Sequence, residues 1–75
     1  MFNTSVTPLF PARGRARALD TWREAARLVG IRWRGFLEAD PASRAWAFAA
    51  YVAALDAEEA AASEVAALSP SAIAA

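Results

Sequence analysis

Glu38-Ala39-Asp40-Pro41-Ala42-Ser43 is the stretch on which the fold turns. Proline at position 41 pushes the residue before it out of helical geometry, and Asp40 is then placed to cap a new helix whose first position is the proline itself. One helix is therefore expected to end near Glu38 and a second to begin at Pro41. A connection this short makes the two helices antiparallel neighbours.

Working upstream, Thr21-Trp22-Arg23-Glu24 has the form of a capping box and sets the expected start of the first helix near residue 21. From there Trp22, Ala26, Val29, Trp33 and Phe36 recur at spacings of 4, 3, 4 and 3, with Leu37 beside them, as one apolar stripe. Arg23, Arg27 and Arg34 fall on the opposite face, while Leu28 and Ile31 widen the apolar side. Gly30 follows Ala26 by one turn and makes a notch for a close helix approach; Gly35 has no such companion, and each glycine costs about 1 kcal/mol relative to alanine in a helix interior.

Downstream, a second helix can run unbroken from residue 41 to about residue 68, where Ser69-Pro70 stops it. Phe48, Val52, Leu55, Ala62 and Val65 keep helical spacing along it, flanked by Tyr51 and Leu68. Trp46, Ala50, Ala53, Ala57 and Ala61 form a second, smoother face, so this helix is apolar on two sides. The expected hairpin core joins Trp22, Val29, Trp33 and Phe36 to Phe48, Val52 and Leu55. At 1.5 Å per residue the first helix would be roughly 27 Å long and the second roughly 40 Å, leaving the last turns of the second uncovered.

The ends read differently. Residues 1–18 hold Pro8, Pro11 and Gly14 with no periodic pattern, and are expected to form an extended basic arm. Val6, Leu9 and Phe10 would be wasted in solvent, so the arm should pack across a surface through Leu9, Phe10, Arg13 and Arg15. Residues 69–75 are expected to be a flexible tail. The domain organisation is then arm 1–18, hairpin 19–68 and tail 69–75.

Charge is sorted along the chain although the total is zero. Residues 1–37 carry seven arginines against Asp20 and Glu24, a net +5, and residues 38–75 carry Arg44 against six acids, a net −5. A dipolar chain of this kind neutralises itself by folding back, by pairing with a copy, or by meeting a charged partner.

Composition narrows function. With no histidine, cysteine or lysine among 75 residues, Ser-His, Cys-His, Schiff-base and structural-zinc chemistry have no residues to work with. Asp56 and Glu59, three apart on one helix, are the remaining candidates for a metal, and a solvated acidic face is the better reading of them. No catalytic, cofactor-binding or metal-ligating residue is assigned. The longest uncharged run, 45–55, is too short to cross a bilayer that needs about 20 residues, and residues 1–10 have no signal-peptide pattern. The absence of cysteine fits a cytoplasmic location.

A chain of this size buries only about 60% of the surface its unfolded form exposes, and 22 alanines bury little each. Self-association, or docking on a larger partner, is the expected source of further burial. The interface is placed on Trp46, Ala50, Ala53, Ala57, Val65 and Leu68, with the second helix pairing antiparallel to its copy. The alternative is a nucleic-acid-binding accessory protein: Arg13-Gly14-Arg15 has the core of an AT-hook, in which an extended arm lays arginines in the minor groove, with the first helix assisting. Trp22, Trp33 and Trp46 sit at helical spacing on apolar stripes and read as core or interface rather than as a base-stacking platform.

The stretches Leu19-Asp20-Thr21-Trp22-Arg23-Glu24-Ala25-Ala26, Arg32-Trp33, Phe36-Leu37 and Tyr51-Val52-Ala53-Ala54-Leu55-Asp56-Ala57-Glu58-Glu59 resemble small alanine- and arginine-rich helical proteins of actinomycete genomes. The resemblance implies such a source and no activity. The whole reads as an all-α antiparallel helical hairpin with an N-terminal arm, completed by oligomerisation. Its expected role is that of a non-enzymatic protein–protein interaction module, a self-associating protein or accessory subunit of a larger assembly.

Overall fold

In the computed structural model, which describes residues 9–68 and the side chains from Arg13 onward, α1 spans Leu9–Glu38 and α2 spans Arg44–Ala67. The two pack antiparallel along their length. Among the described residues there is no strand, and the fold is the all-α hairpin expected from Asp40-Pro41.

The first correction concerns the start of α1. Residues 9–18, expected to be an extended arm, are helical, and α1 passes through Thr21 without a break. Pro11 is compatible with this because it sits in the first turn, where backbone amides have no intrahelical partner. Ala16, Ala18 and three arginines are good helix formers, and the apolar stripe of α1 continues backwards from Trp22 through Ala18 to Gly14 at four-residue spacing. Glu24 does not close a capping box; it accepts two hydrogen bonds from Arg27, at 3.1 and 2.6 Å. Residues 1–8 and 69–75, including the remainder of the expected arm and the expected tail, lie outside the described residues.

The added turns reverse the length mismatch. At 30 and 24 residues, α1 is the longer helix, about 45 Å against about 36 Å, and its N-terminal third covers the end of α2. Ala18 and Ala61 are buried there, and Leu68 Cδ1 lies 4.0 Å from where a Cβ on Gly14 would stand. The final turns of α2 are therefore not left without an intramolecular neighbour.

The connection is built as the sequence implies, three residues wider. The Ser43 amide donates to Asp40 Oδ1 at 2.9 Å and to the Asp40 carbonyl at 3.1 Å. Residues 41–43 form a turn that leads into α2, and the Ala47 amide donates to the Ser43 carbonyl at 2.9 Å. α2 thus starts at Arg44 rather than Pro41, with Asp40 holding the turn before it. At the far end the Leu68 amide is shared between the Glu64 and Val65 carbonyls, both at 3.2 Å.

The second correction concerns the core. Among the described residues only Ala18 and Ala61 are buried. Trp22, Val29 and Phe36 are half-buried, whereas Trp33 (41%), Phe48 (47%), Val52 (36%) and Leu55 (36%) remain exposed to those fractions. Two helices touch along one line, and on it only the small Ala18 and Ala61 are fully covered, while the larger side chains on and beside it stay partly in solvent. Gly30 and Gly35 meet nothing within 4 Å of an added Cβ and neither has positive φ, so the hairpin itself makes no use of the notch at Gly30.

Two outcomes follow for stability. Asp40→Ala removes the side-chain acceptor of the Ser43 amide while leaving the backbone one, and should lower stability by about 1 kcal/mol in a urea titration. Gly35→Ala meets open space and should raise it by roughly 0.5–1 kcal/mol; a lower melting temperature for this variant would show that something not in the hairpin packs against Gly35.

Candidate functional site

The side chains that carry the apolar character of this chain gather on one broad side of the hairpin. Trp33 lies against Phe36 and Tyr51, with ring centroids 5.6 and 5.0 Å apart. Phe48 lies against Phe36 at 5.4 Å and Tyr51 at 6.3 Å. All four pairs are tilted, the arrangement aromatic quadrupoles favour. Helical periodicity places Leu37 next to Trp33 on α1 and Val52 and Leu55 next to Phe48 and Tyr51 on α2. With Leu37 at 61% exposure, the result is a continuous apolar face of Trp33, Leu37, Phe48, Val52 and Leu55 on the half of the hairpin nearer the turn.

One polar link crosses the same seam farther from the turn. The Trp22 indole N–H donates to Glu58 Oε2 at 2.7 Å in a partly buried setting. It satisfies the indole donor and fixes the axial register of the helices. The other side-chain pairs lie within α1, Arg23 with Asp20 at 3.4 Å and Arg27 with Glu24 at 2.6 Å. Hydrogen bonding from Arg27 holds the Glu24 carboxyl below its ordinary range and in turn raises Arg27. What this pair adds to stability is present above the ordinary carboxylate range and is lost as pH falls through the lowered Glu24 value; both groups are in solvent, so salt screens the contribution.

The interface residues expected from sequence are distributed as follows. Trp46 is 79% exposed and Leu68 39%, but they stand at opposite ends of α2. Trp46 and Ala50 line an open depression beside the turn with Ile31, Arg32 and Gly35. Ala57 and Leu68 line another at the far end with Gly14, Arg17 and Thr21. Ala53 is exposed and Val65 half-buried. Of the expected arm contacts, Arg13 is exposed and Arg15 half-buried on α1; the side chains of Leu9 and Phe10 lie outside the described residues.

In sequence the aromatic face is hidden, because Trp33, Phe48, Val52 and Leu55 recur at the spacing of a core stripe. The signal that could have found it is the width of the stripes: Leu37 beside Phe36, and Phe48, Tyr51, Val52 and Leu55 together, span more of each helix than one neighbour can cover.

No group of three or more metal-ligating side chains occurs among the described residues, and Asp56 and Glu59 are both exposed. No helix of the described residues is long and apolar enough to cross a membrane. Comparison with known proteins returns no match to a family model, a curated protein or a solved structure.

The Trp22–Glu58 link can be weighed directly. A hydrogen bond to a charged acceptor contributes about 1.5–3 kcal/mol when buried; at this partly exposed site Glu58→Ala should cost about 1–2 kcal/mol, and Glu58→Gln, which keeps an acceptor, less. Urea melts followed by tryptophan fluorescence measure both.

Proposed function

We propose that this chain acts by binding protein, through the aromatic face, as a self-associating helical module or a small accessory subunit of a larger assembly. The observation that carries this reading is the joint one: the described residues bury only Ala18 and Ala61, while seven large apolar side chains are exposed, five of them (Trp33, Leu37, Phe48, Val52 and Leu55) on the aromatic face. Covering those five adds on the order of 1 kcal/mol each, a sum comparable with the whole stability of a small domain, about 5 kcal/mol at the lower end. Contiguous exposed apolar surface of this kind marks interaction sites. The reading is non-enzymatic and rests there on composition, since histidine, cysteine and lysine are absent.

The nucleic-acid alternative loses its main support. Arg13-Gly14-Arg15 lies inside α1, and a helical segment cannot lay two arginines along a minor groove as an extended arm does. The acids of α2 line up beside the basic helix and oppose phosphate.

Sedimentation equilibrium and circular dichroism of the full chain test the proposal. Association at micromolar concentration, with helicity that rises with concentration, is expected. Val52→Glu, on the aromatic face, should shift the chain to monomer, whereas Ala53→Glu, on the other broad side, should leave association unchanged. A well-folded monomer at several hundred micromolar that captures no protein partner would overturn the reading.

A further inference from the structure

We infer that the aromatic face is covered by a second copy of this chain, docked so that α1 of each protomer lies on α2 of the other and both turns sit at the same end. The inference rests on the protein-binding reading above and adds to it the occupant and its orientation.

Heights along the hairpin come first. The Trp22–Glu58 hydrogen bond sets residues 22–23 level with 58–59, and the Trp33–Tyr51 and Phe36–Phe48 contacts continue that register towards the turn. At about 100° per residue, Arg23, Arg34 and Arg27 follow Leu37 round α1, away from α2, and edge the aromatic face on that side. Glu59 and Asp56 edge it on the α2 side, around Val52. All five are exposed. The face is thus an apolar strip with one basic margin and one acidic margin. The asymmetry holds for the whole helices: α1 carries seven arginines and three acids, a net +4, and α2 one arginine and four acids, a net −3.

Two such faces can meet about a two-fold axis in two ways. An axis running across the helices lays α1 on α1 and α2 on α2, so each margin meets one of its own sign. An axis running along the helices preserves heights and exchanges margins. Arg23 of one protomer then comes level with Glu59 of its partner and Arg27 with Asp56, each pair twice by symmetry. Because heights are preserved, the Trp33, Leu37, Phe48 and Val52 patches also meet one another instead of sliding past. Every neighbouring pair of helices in the resulting four-helix bundle is antiparallel. Arg23 and Arg27 also bond to Asp20 and Glu24 of their own helix, so the pairs across the dimer share those guanidinium groups, while Arg34, which makes no ion pair among the described residues, and the net +4 of α1 keep that margin the more basic one.

Charge reversal distinguishes the two axes by sign. Glu59→Arg and Arg23→Glu should each weaken the dimer roughly three- to tenfold, and the two together should bring affinity back near that of the parent. Circular dichroism at a concentration where the parent is dimeric checks that the exposed substitutions leave the helices intact. If the axis ran across the helices, Glu59→Arg would instead relieve repulsion and tighten the dimer; that result, or an unchanged affinity, overturns the inference while the protein-binding reading stands. A second measurement does not depend on charge. The chain has no cysteine, so Ala42→Cys creates a single thiol at the turn. A bis-maleimide whose spacer matches the ~10 Å between packed helices should cross-link the two turns of a same-end dimer. Failure to cross-link a chain that sediments as a dimer overturns the orientation, and a stable, well-folded monomer overturns the occupant.

Discussion

Two α-helices packed side by side touch along one line, and everything about this molecule depends on how little that line can bury. Each helix presents to the other only the residues within a narrow arc, and close approach selects small side chains for it. Ala18 of α1 and Ala61 of α2 fill that position and are the buried residues of the described chain. Trp33, Phe48, Val52 and Leu55 lie to one side of that line, where Trp33 and Phe48 rest against the half-buried Phe36 and Tyr51 and all four remain partly in solvent. An aromatic cluster without a third layer is the direct result. A hairpin of this design supplies the cooperativity of local contacts but not the apolar burial that holds small domains together without disulfide or metal.

Charge works on a different scale. No salt bridge joins α1 to α2 among the described residues; the cross-seam polar contact is the Trp22 indole on Glu58. Exposed charges contribute little pair by pair, so the sorting of arginines into α1 and acids into α2 adds little to the hairpin's own stability. A basic helix beside an acidic one gives each broad side a direction, and a face with direction discriminates between orientations that an apolar strip alone would accept equally.

The start of α1 and the open aromatic face both depart from local expectation because of how the helices pack. Pro11 and Gly14 read as the end of helical structure, yet a proline in the first turn removes an amide that would be unbonded anyway, and Gly14 and Ala18 continue the four-residue spacing of Trp22. What outweighed local propensity was packing: the N-terminal third of α1 has the end of α2 to lie against. Trp33, Phe48, Val52 and Leu55 read as core because they recur at helical spacing. Periodicity shows which side of a helix is apolar, not whether a neighbour covers it, and two stripes each wider than one contact line cannot both be buried by a single pairing.

By itself the sequence determined the helical class, the break at Asp40-Pro41, the antiparallel pairing and the separation of charge between the two helices. These are local or topological consequences of backbone geometry: proline excludes helix at the residue before it, and a short connection returns the chain alongside itself. Only the tertiary structure decided where α1 begins, which residues lie in the seam, and that the aromatic side chains form an open face instead of a core. Those outcomes depend on the axial register and rotation of one helix against the other. The Trp22–Glu58 bond and the close approach at Ala18 and Ala61 set them, and no residue declares such a contact until its partner, some 36 positions away, is in place.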